Sequence, residues 1–104
     1  MRGDVVQVPA DRLAKGREQR GARYGVVVQS DDLLLSTVLV VPTTTRRSSS
    51  PHRPEITVQG EVSTLLTEQT RAISRDCLGQ PVGRLSYEEL RELGDALRLV
   101  LSLD

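Results

Sequence analysis

Apolar residues come in short, β-branched bursts over the first three quarters of the chain and in a helical stripe over the last. Val5, Val6 and Val8, with Gln7 between them, predict a first strand that Pro9 ends. Residues 10–21 are polar, charged and glycine-containing, which predicts a mobile loop. Val26 to Gln29 and Thr37 to Val41 are continuous apolar runs of strand length, and their lack of alternation predicts burial on both faces, with Asp31-Asp32 making the turn between them. The run Thr43-Thr-Thr-Arg-Arg-Ser-Ser-Ser-Pro-His-Arg53 reads as a second polar loop without regular structure. Glu55 to Gln59 alternates as a half-exposed strand up to Gly60, and Val62 to Leu66 and Gln69 to Ile73 continue the sheet. Ser86 with Glu89 then makes a capping box, and Leu85 with Leu90 a hydrophobic staple. Leu90, Leu93, Leu97, Val100 and Leu101 follow at helical spacing, a stripe that core packing explains without any membrane role. The fold class is therefore mostly β with a C-terminal helix, five or six short strands closing into a small, strongly bent barrel of SH3-like type.

Length changes this picture little: 104 residues make one domain, 1–104, with room for one small core. The only aromatics are Tyr24 and Tyr87, so that core is aliphatic and thin. A thin core predicts a homodimer, with the last strand and helix as its seat. Cys77 has no second cysteine to pair with and reads as a buried small hydrophobe; without an apolar run long enough for a signal peptide or span, the chain reads as cytoplasmic and off the membrane.

Charge changes it more. The formal net charge is zero, yet residues 1–60 carry nine Lys+Arg against six acids and the remainder five against eight. The cations gather in two loops, 12–23 and 46–53, where local potential can draw a phosphodiester. Thirteen of the fourteen basic residues are Arg, which suits bidentate phosphate recognition, although a G+C-rich gene gives the same bias. One His, no Cys pair and two Asp in a turn argue against a two-metal nuclease, so neither metal nor cofactor is expected.

Five segments carry a resemblance. Arg2-Gly3-Asp4-Val5-Val6 opens the chain; Glu18-Gln-Arg-Gly-Ala-Arg-Tyr-Gly25 delivers Arg23 to the mouth of a buried strand. Ser36-Thr-Val-Leu-Val-Val-Pro-Thr-Thr-Thr45, Glu68-Gln-Thr-Arg-Ala-Ile-Ser74 and Gly83-Arg-Leu-Ser86 follow in order. The set resembles the MazF/PemK/Kid toxins of type II toxin–antitoxin systems. That resemblance implies the CcdB/PemK-like toxin fold as a homodimer, sequence-specific and metal-independent cleavage of single-stranded RNA by 2′-OH attack, and silencing by a cognate MazE-like antitoxin. The class of RNA, messenger, ribosomal or transfer, stays open.

By the same resemblance Arg23 and Thr44 form the catalytic pair, Thr43 or Thr45 being able to take the place of Thr44, and Glu68 matches an acid proposed in some members to deprotonate the nucleophile. A guanidinium is too basic to give up a proton at neutral pH, so Arg23 is read as an electrostatic stabiliser. RNA contacts fall to Arg17, Glu18, Gln19, Arg20, Tyr24, Thr43, Thr45, Arg46, Arg47, His52 and Arg71. Several have an ordinary reading beside the functional one: Arg23 as a solvated or ion-paired residue, Thr44 as a β-former, Glu68 ion-paired with Arg71 or a neighbouring strand, Tyr24 capping the barrel core, His52 on the surface. The chain departs from one branch of the family in having Arg17 where that branch has His, and Leu66 where it has Arg; Tyr24 replaces a common Pro. The alternative is a non-enzymatic toxin of the same superfamily that poisons DNA gyrase by protein contact; those relatives end in an exposed aromatic, whereas this chain ends Leu99-Val-Leu-Ser-Leu-Asp104. A third reading, an inactive SH3-like binding module, would tolerate loss of Arg23.

Overall fold

The computed structural model describes residues 1–9, 23–46 and 48–104. Among these residues seven strands precede one helix: β1 (Asp4–Val8), β2 (Arg23–Val27), β3 (Thr37–Thr44), β4 (Glu55–Val58), β5 (Glu61–Leu65), β6 (Arg71–Ser74), β7 (Pro81–Arg84) and α1 (Tyr87–Leu101). Single 3₁₀ turns at Thr67–Gln69 and Arg75–Cys77 flank β6. The strand order is β4-β5-β3-β2-β1-β7, with β6 also on β3. Every pairing is antiparallel.

β3 bends the sheet into a nearly closed barrel. Along one edge it meets β2; along the other it meets first β6, at Thr37 to Val40, and then β5, at Thr43↔Leu65 and Thr44↔Thr64. The change of partner falls at Pro42, which has no N–H to give a ladder, while its carbonyl accepts from Leu66 N at 2.9 Å. The opening motif is structural as well. Arg2 Nη1 donates to the Val28 carbonyl at 2.6 Å, Gly3 takes a φ of 91° that a side chain would resist, and Asp4 pairs with Arg84 across β1 and β7 at 2.8 Å.

The helix closes what the strands leave open. Ser86 Oγ accepts from Glu89 N at 3.1 Å and Glu89 Oε1 accepts from Ser86 N at 2.9 Å, the expected capping box. The other oxygen of Glu89 accepts from Thr57 N at 3.0 Å, so the same carboxylate blunts the free edge of β4. Leu93 and Ala96 are buried, Leu90 and Leu97 pack on the interior cluster, and Leu101, expected in the stripe, is exposed because the last turn runs past the barrel. The inner part of the helix's apolar face thus covers this chain's own core. Exposed apolar side chains among the described residues gather in two places: Leu33, Leu34 and Leu35, at 51, 88 and 50% exposure, with Leu39 in β3, and Tyr87, Leu99 and Leu101 on the helix with Leu103 after it.

Burial on both faces holds for β2. Val26 and Val28 enter an interior cluster with Val5, Val41, Ile56, Leu65 and Leu93, while Val27 joins Val6, Val8, Val38, Val40 and Ile73 on the opposite face. Paired valines at successive positions supply both, since side chains alternate. β3 departs from the expectation at Leu39, which is 43% exposed.

Other expectations are corrected. The polar run 43–53 begins inside β3, and Ser50 and Arg53 form an isolated bridge. Gln69 lies in a 3₁₀ turn, so the following strand starts only at Arg71. β7, too short and too rich in Pro and Gly to show a pattern, pairs with β1. Cys77 is exposed, because β6 has already ended at Ser74 and the chain turns at the surface. The loop expected at 10–21 lies outside the described residues.

Candidate active site

Arg23 and Thr44 are brought together by strand register. β2 and β3 pair Val26↔Val41 and Gly25↔Pro42; carried two residues further, the register puts Arg23 opposite Thr44, on the face that also carries Val27 and Val40. Gly25 lets the strands pack this closely, for a Cβ there would lie 2.4 Å from Val40 Cγ1. Arg23 is half-buried, and its Nε is buried without a hydrogen-bond partner among the described residues. An orphaned buried donor costs about 1–3 kcal/mol, which an incoming acceptor would recover.

The three consecutive threonines are not equivalent. Thr43 is buried and donates its hydroxyl to the Tyr24 carbonyl at 3.0 Å, a bond that fastens β3 to β2. Thr44 Oγ1 accepts from Arg46 N at 3.2 Å, which leaves its own proton available to a ligand. Thr45 is exposed. The row extends across the sheet, because Thr44 faces Thr64 and Thr64 faces Glu55. Thr64 is 1% exposed and its Oγ1, like Arg23 Nε, has no partner among the described residues.

Arg71 faces Val40 from β6 and so stands on the same side of the sheet as Arg23 and Thr44. Its Nη2 lies 3.4 Å from the carbonyl of Pro9, the residue after Val8, which itself faces Arg23. Tyr24 points the other way: its ring packs on the interior cluster and its hydroxyl reaches Gln59 Oε1 at 3.5 Å.

Glu68 takes a partner the sequence did not suggest. Arg53, rather than Arg71, holds it: Arg53 Nε donates to Oε1 at 3.1 Å and Nη2 to Oε2. The fork holds the Glu68 carboxyl down at about 2, against an ordinary value of 4.5. A carboxylate held so firmly ionised is a weak base. His52 completes the group, its Nε2 3.8 Å from Glu68 Oε1 and its Nδ1 3.2 Å from Ser50 Oγ. The His52 carbonyl accepts from Thr67 Oγ1, and Arg53 Nη1 donates to Ser48 Oγ at 3.0 Å, so residues 48–54 are tied down where a solvated loop was expected.

Arg46 is exposed at the end of β3, while Arg17, Glu18, Gln19, Arg20 and Arg47 lie outside the described residues. Among the described residues no three His, Cys, Asp or Glu side chains stand where they could hold a metal, and no helix is long and apolar enough to cross a membrane. Sequence reasoning missed Arg53, Ser50 and Thr64. The signal for Arg53 was there only as one cation in a polar run, its acid fifteen residues away.

The chain matches known proteins along its whole length. The family of PemK-like, MazF-like toxins of type II toxin–antitoxin systems matches residues 1–101. A candidate toxin of Mycobacterium tuberculosis is 35% identical over 104 residues, covering 99% of this chain and 98% of that protein. Among solved structures, a mycobacterial endoribonuclease in complex with its cognate antitoxin has a TM-score of 0.81 at 20% identity, covering 100% of this chain and 96% of its own. A MazE–MazF complex from Deinococcus radiodurans has a TM-score of 0.79 at 19% identity, covering 99% and 96%. These two show a shared fold.

Proposed function

The chain belongs to the PemK-like, MazF-like family of type II toxins, and from that premise we propose that it is a sequence-specific, metal-independent endoribonuclease that cleaves single-stranded RNA by attack of the ribose 2′-OH. The observation that carries this reading is Arg23 Nε, buried and without a hydrogen-bond partner among the described residues, at a strand mouth that the register puts opposite Thr44. A guanidinium and a hydroxyl on adjoining strands form a preorganised donor pair for the oxygens of a phosphoryl group as its charge builds. The naming of a fold relative as an endoribonuclease favours RNA cleavage over gyrase poisoning.

A cognate MazE-like antitoxin is the expected partner, an acidic and partly disordered segment that would compete with RNA for the same cationic groups. The toxin acts as a homodimer in the cytoplasm. Two exposed apolar patches offer the dimer a seat, Leu33, Leu34 and Leu35 on the turn before β3 and Tyr87, Leu99 and Leu101 on the helix. Light scattering that returned the 11.5 kDa of one copy at micromolar concentration would dismiss the dimer.

The reaction is tested by incubating purified protein with total RNA in excess EDTA and sequencing the new 5′ ends. Cleavage persists, at a short recurring sequence, and leaves 5′-hydroxyl termini. Cutting that stops with EDTA and returns only with a divalent ion would reject 2′-OH attack without metal.

A further inference from the structure

We propose, resting on the antitoxin reading above, that the outer edge of β6 is where an extended, acidic segment of the antitoxin adds a strand to the sheet. Register decides which backbone groups that edge offers. Among the described residues β6 pairs with β3 alone, and one step past Thr37↔Ser74 the Arg75 N–H donates to the Ser36 carbonyl at 2.9 Å. Bonded pairs alternate along an antiparallel ladder, so Arg71, Ile73 and Arg75 turn their backbone groups to β3, and Ala72 and Ser74 turn theirs outward. Those outward N–H and C=O groups have no partner among the described residues, and both residues are exposed.

The two end strands of the sheet are blunted, and β6 is not. On β4 the outward N–H of Thr57 is taken by the Glu89 carboxylate at 3.0 Å. β7 carries Pro81 and meets β1 through a bulge between Val5 and Val6, two devices that keep another backbone from pairing. β6 has four regular pairs, no proline and no bulge, and among the described residues no side chain caps its outward groups. Such an edge is a template for another chain, and a segment of about four residues spans it.

What flanks the edge selects the occupant. Donors and acceptors in alternation match a peptide backbone, which RNA does not carry. Arg71 and Arg75 stand at the two ends of the ladder; Arg75 Nε donates to the Leu35 carbonyl at 3.0 Å, and its guanidinium has no carboxylate partner among the described residues. A second copy paired antiparallel about Ile73 would set Arg71 of one chain against Arg75 of the other, like charges face to face. An acidic segment meets opposite charge at both ends instead. Between them Ala72 faces Leu39, which is 43% exposed, and Ala72 is small enough for an apolar side chain laid over it to reach that leucine. β6 begins at Arg71, on the side of the sheet that carries Arg23 and Thr44, so a strand seated here is led toward the groups that RNA would use.

The test uses the full chain, alone and in complex with the antitoxin co-expressed from the neighbouring reading frame, and follows amide hydrogen exchange residue by residue by NMR. In the chain alone Ala72 and Ser74 should exchange fast and Ile73 slowly. In the complex the two outward amides should slow by about tenfold or more, while Ile73, already bonded to β3, changes by less than about threefold. Ala72→Pro deletes an outward donor and leaves the β3 ladder intact. It should weaken antitoxin binding by about tenfold or more, while its RNA cleavage without antitoxin stays within about threefold of wild type. Arg75→Glu keeps the edge and reverses its charge; it should weaken binding by a similar factor, and it decides the matter if the proline variant does not fold. Protection that spares Ala72 and Ser74, or a folded Ala72→Pro protein that binds as wild type does, overturns the seat and leaves the antitoxin reading standing. Outward amides already slow in the chain alone would mean that the edge is filled without the antitoxin, which overturns the seat as well. If the co-expressed protein does not bind the wild-type chain at all, the antitoxin reading itself fails and the seat falls with it.

Discussion

The two ends of the candidate site are built on opposite terms. Arg23 and Thr44 stand on paired strands, held by backbone ladders and by valines beneath them, with hydrogen-bonding capacity left unspent. His52, Arg53 and Glu68 stand on a loop and a 3₁₀ turn, where guanidinium and carboxylate neutralise each other and the bonds between them set the shape of the chain. The strand-borne end is positioned by the fold and can wait for a charge to arrive. The loop-borne end is positioned by its own charges, so removing one of them changes geometry before it changes electrostatics. Substitutions at the first end should therefore act on rate with little effect on stability, and substitutions at the second on both.

The sharpest separation is expected at Arg23. Arg23→Ala should reduce RNA cleavage by about 10³-fold or more, the order reached when a transition-state donor is lost. Its thermal midpoint should match or exceed that of wild type, because an orphaned buried donor has been removed. Arg23→Lys should fail almost as badly, since an ammonium cannot present two parallel donors. Rates from gel-resolved cleavage and midpoints from circular dichroism decide the matter; an Arg23→Ala protein that cuts at wild-type rate would falsify the donor role.

Thr44→Ala should cost about 10²-fold in rate, again with little change in melting. Thr43→Ala should do the reverse. It breaks the bond to the Tyr24 carbonyl and should lower stability by about 0.5–1.5 kcal/mol, while slowing cleavage less than its neighbour does. Equal rate losses for the two would mean that the site does not distinguish these adjacent threonines.

Much of this architecture was legible in the chain. Val26, Val27 and Val28 announce a strand buried on both faces, and Ser86 with Glu89 announces where the helix begins; both signals are local, and both persist in the fold. Register made Arg23 and Thr44 neighbours, but no local pattern states a register, so the sequence placed them only through family resemblance. The pairing of Arg53 with Glu68 was out of reach, because it depends on how β5 folds residues 48–54 back onto the turn at Thr67–Gln69. Cys77 was misread for a related reason. Its neighbours Asp76 and Leu78 are ambiguous, and only the end of β6 at Ser74 decides that the chain has reached the surface.

The smallest expected effect comes from the loop-borne end and has a definite sign in pH. Glu68 has its carboxyl at about 2 in the folded chain, below an ordinary 4.5, because Arg53 donates twice to the ionised form. A depressed carboxylate contributes stability that is fully present above the ordinary value and is lost as pH falls toward the folded one. Both side chains keep about a third of their surface in solvent, 28% for Arg53 and 31% for Glu68, so water screens the pair and its share is modest. Arg53→Ala should therefore melt a few degrees below wild type at neutral pH. The two midpoints should converge as pH is lowered through the interval between 4.5 and about 2, where wild type progressively protonates the carboxylate that the variant no longer stabilises. Melting curves at matched ionic strength from neutral to acid pH measure the convergence. A difference that stayed constant across that interval would assign the loss to the Ser48 bond and loop packing, and would remove the ion pair as the device that shapes this end of the site.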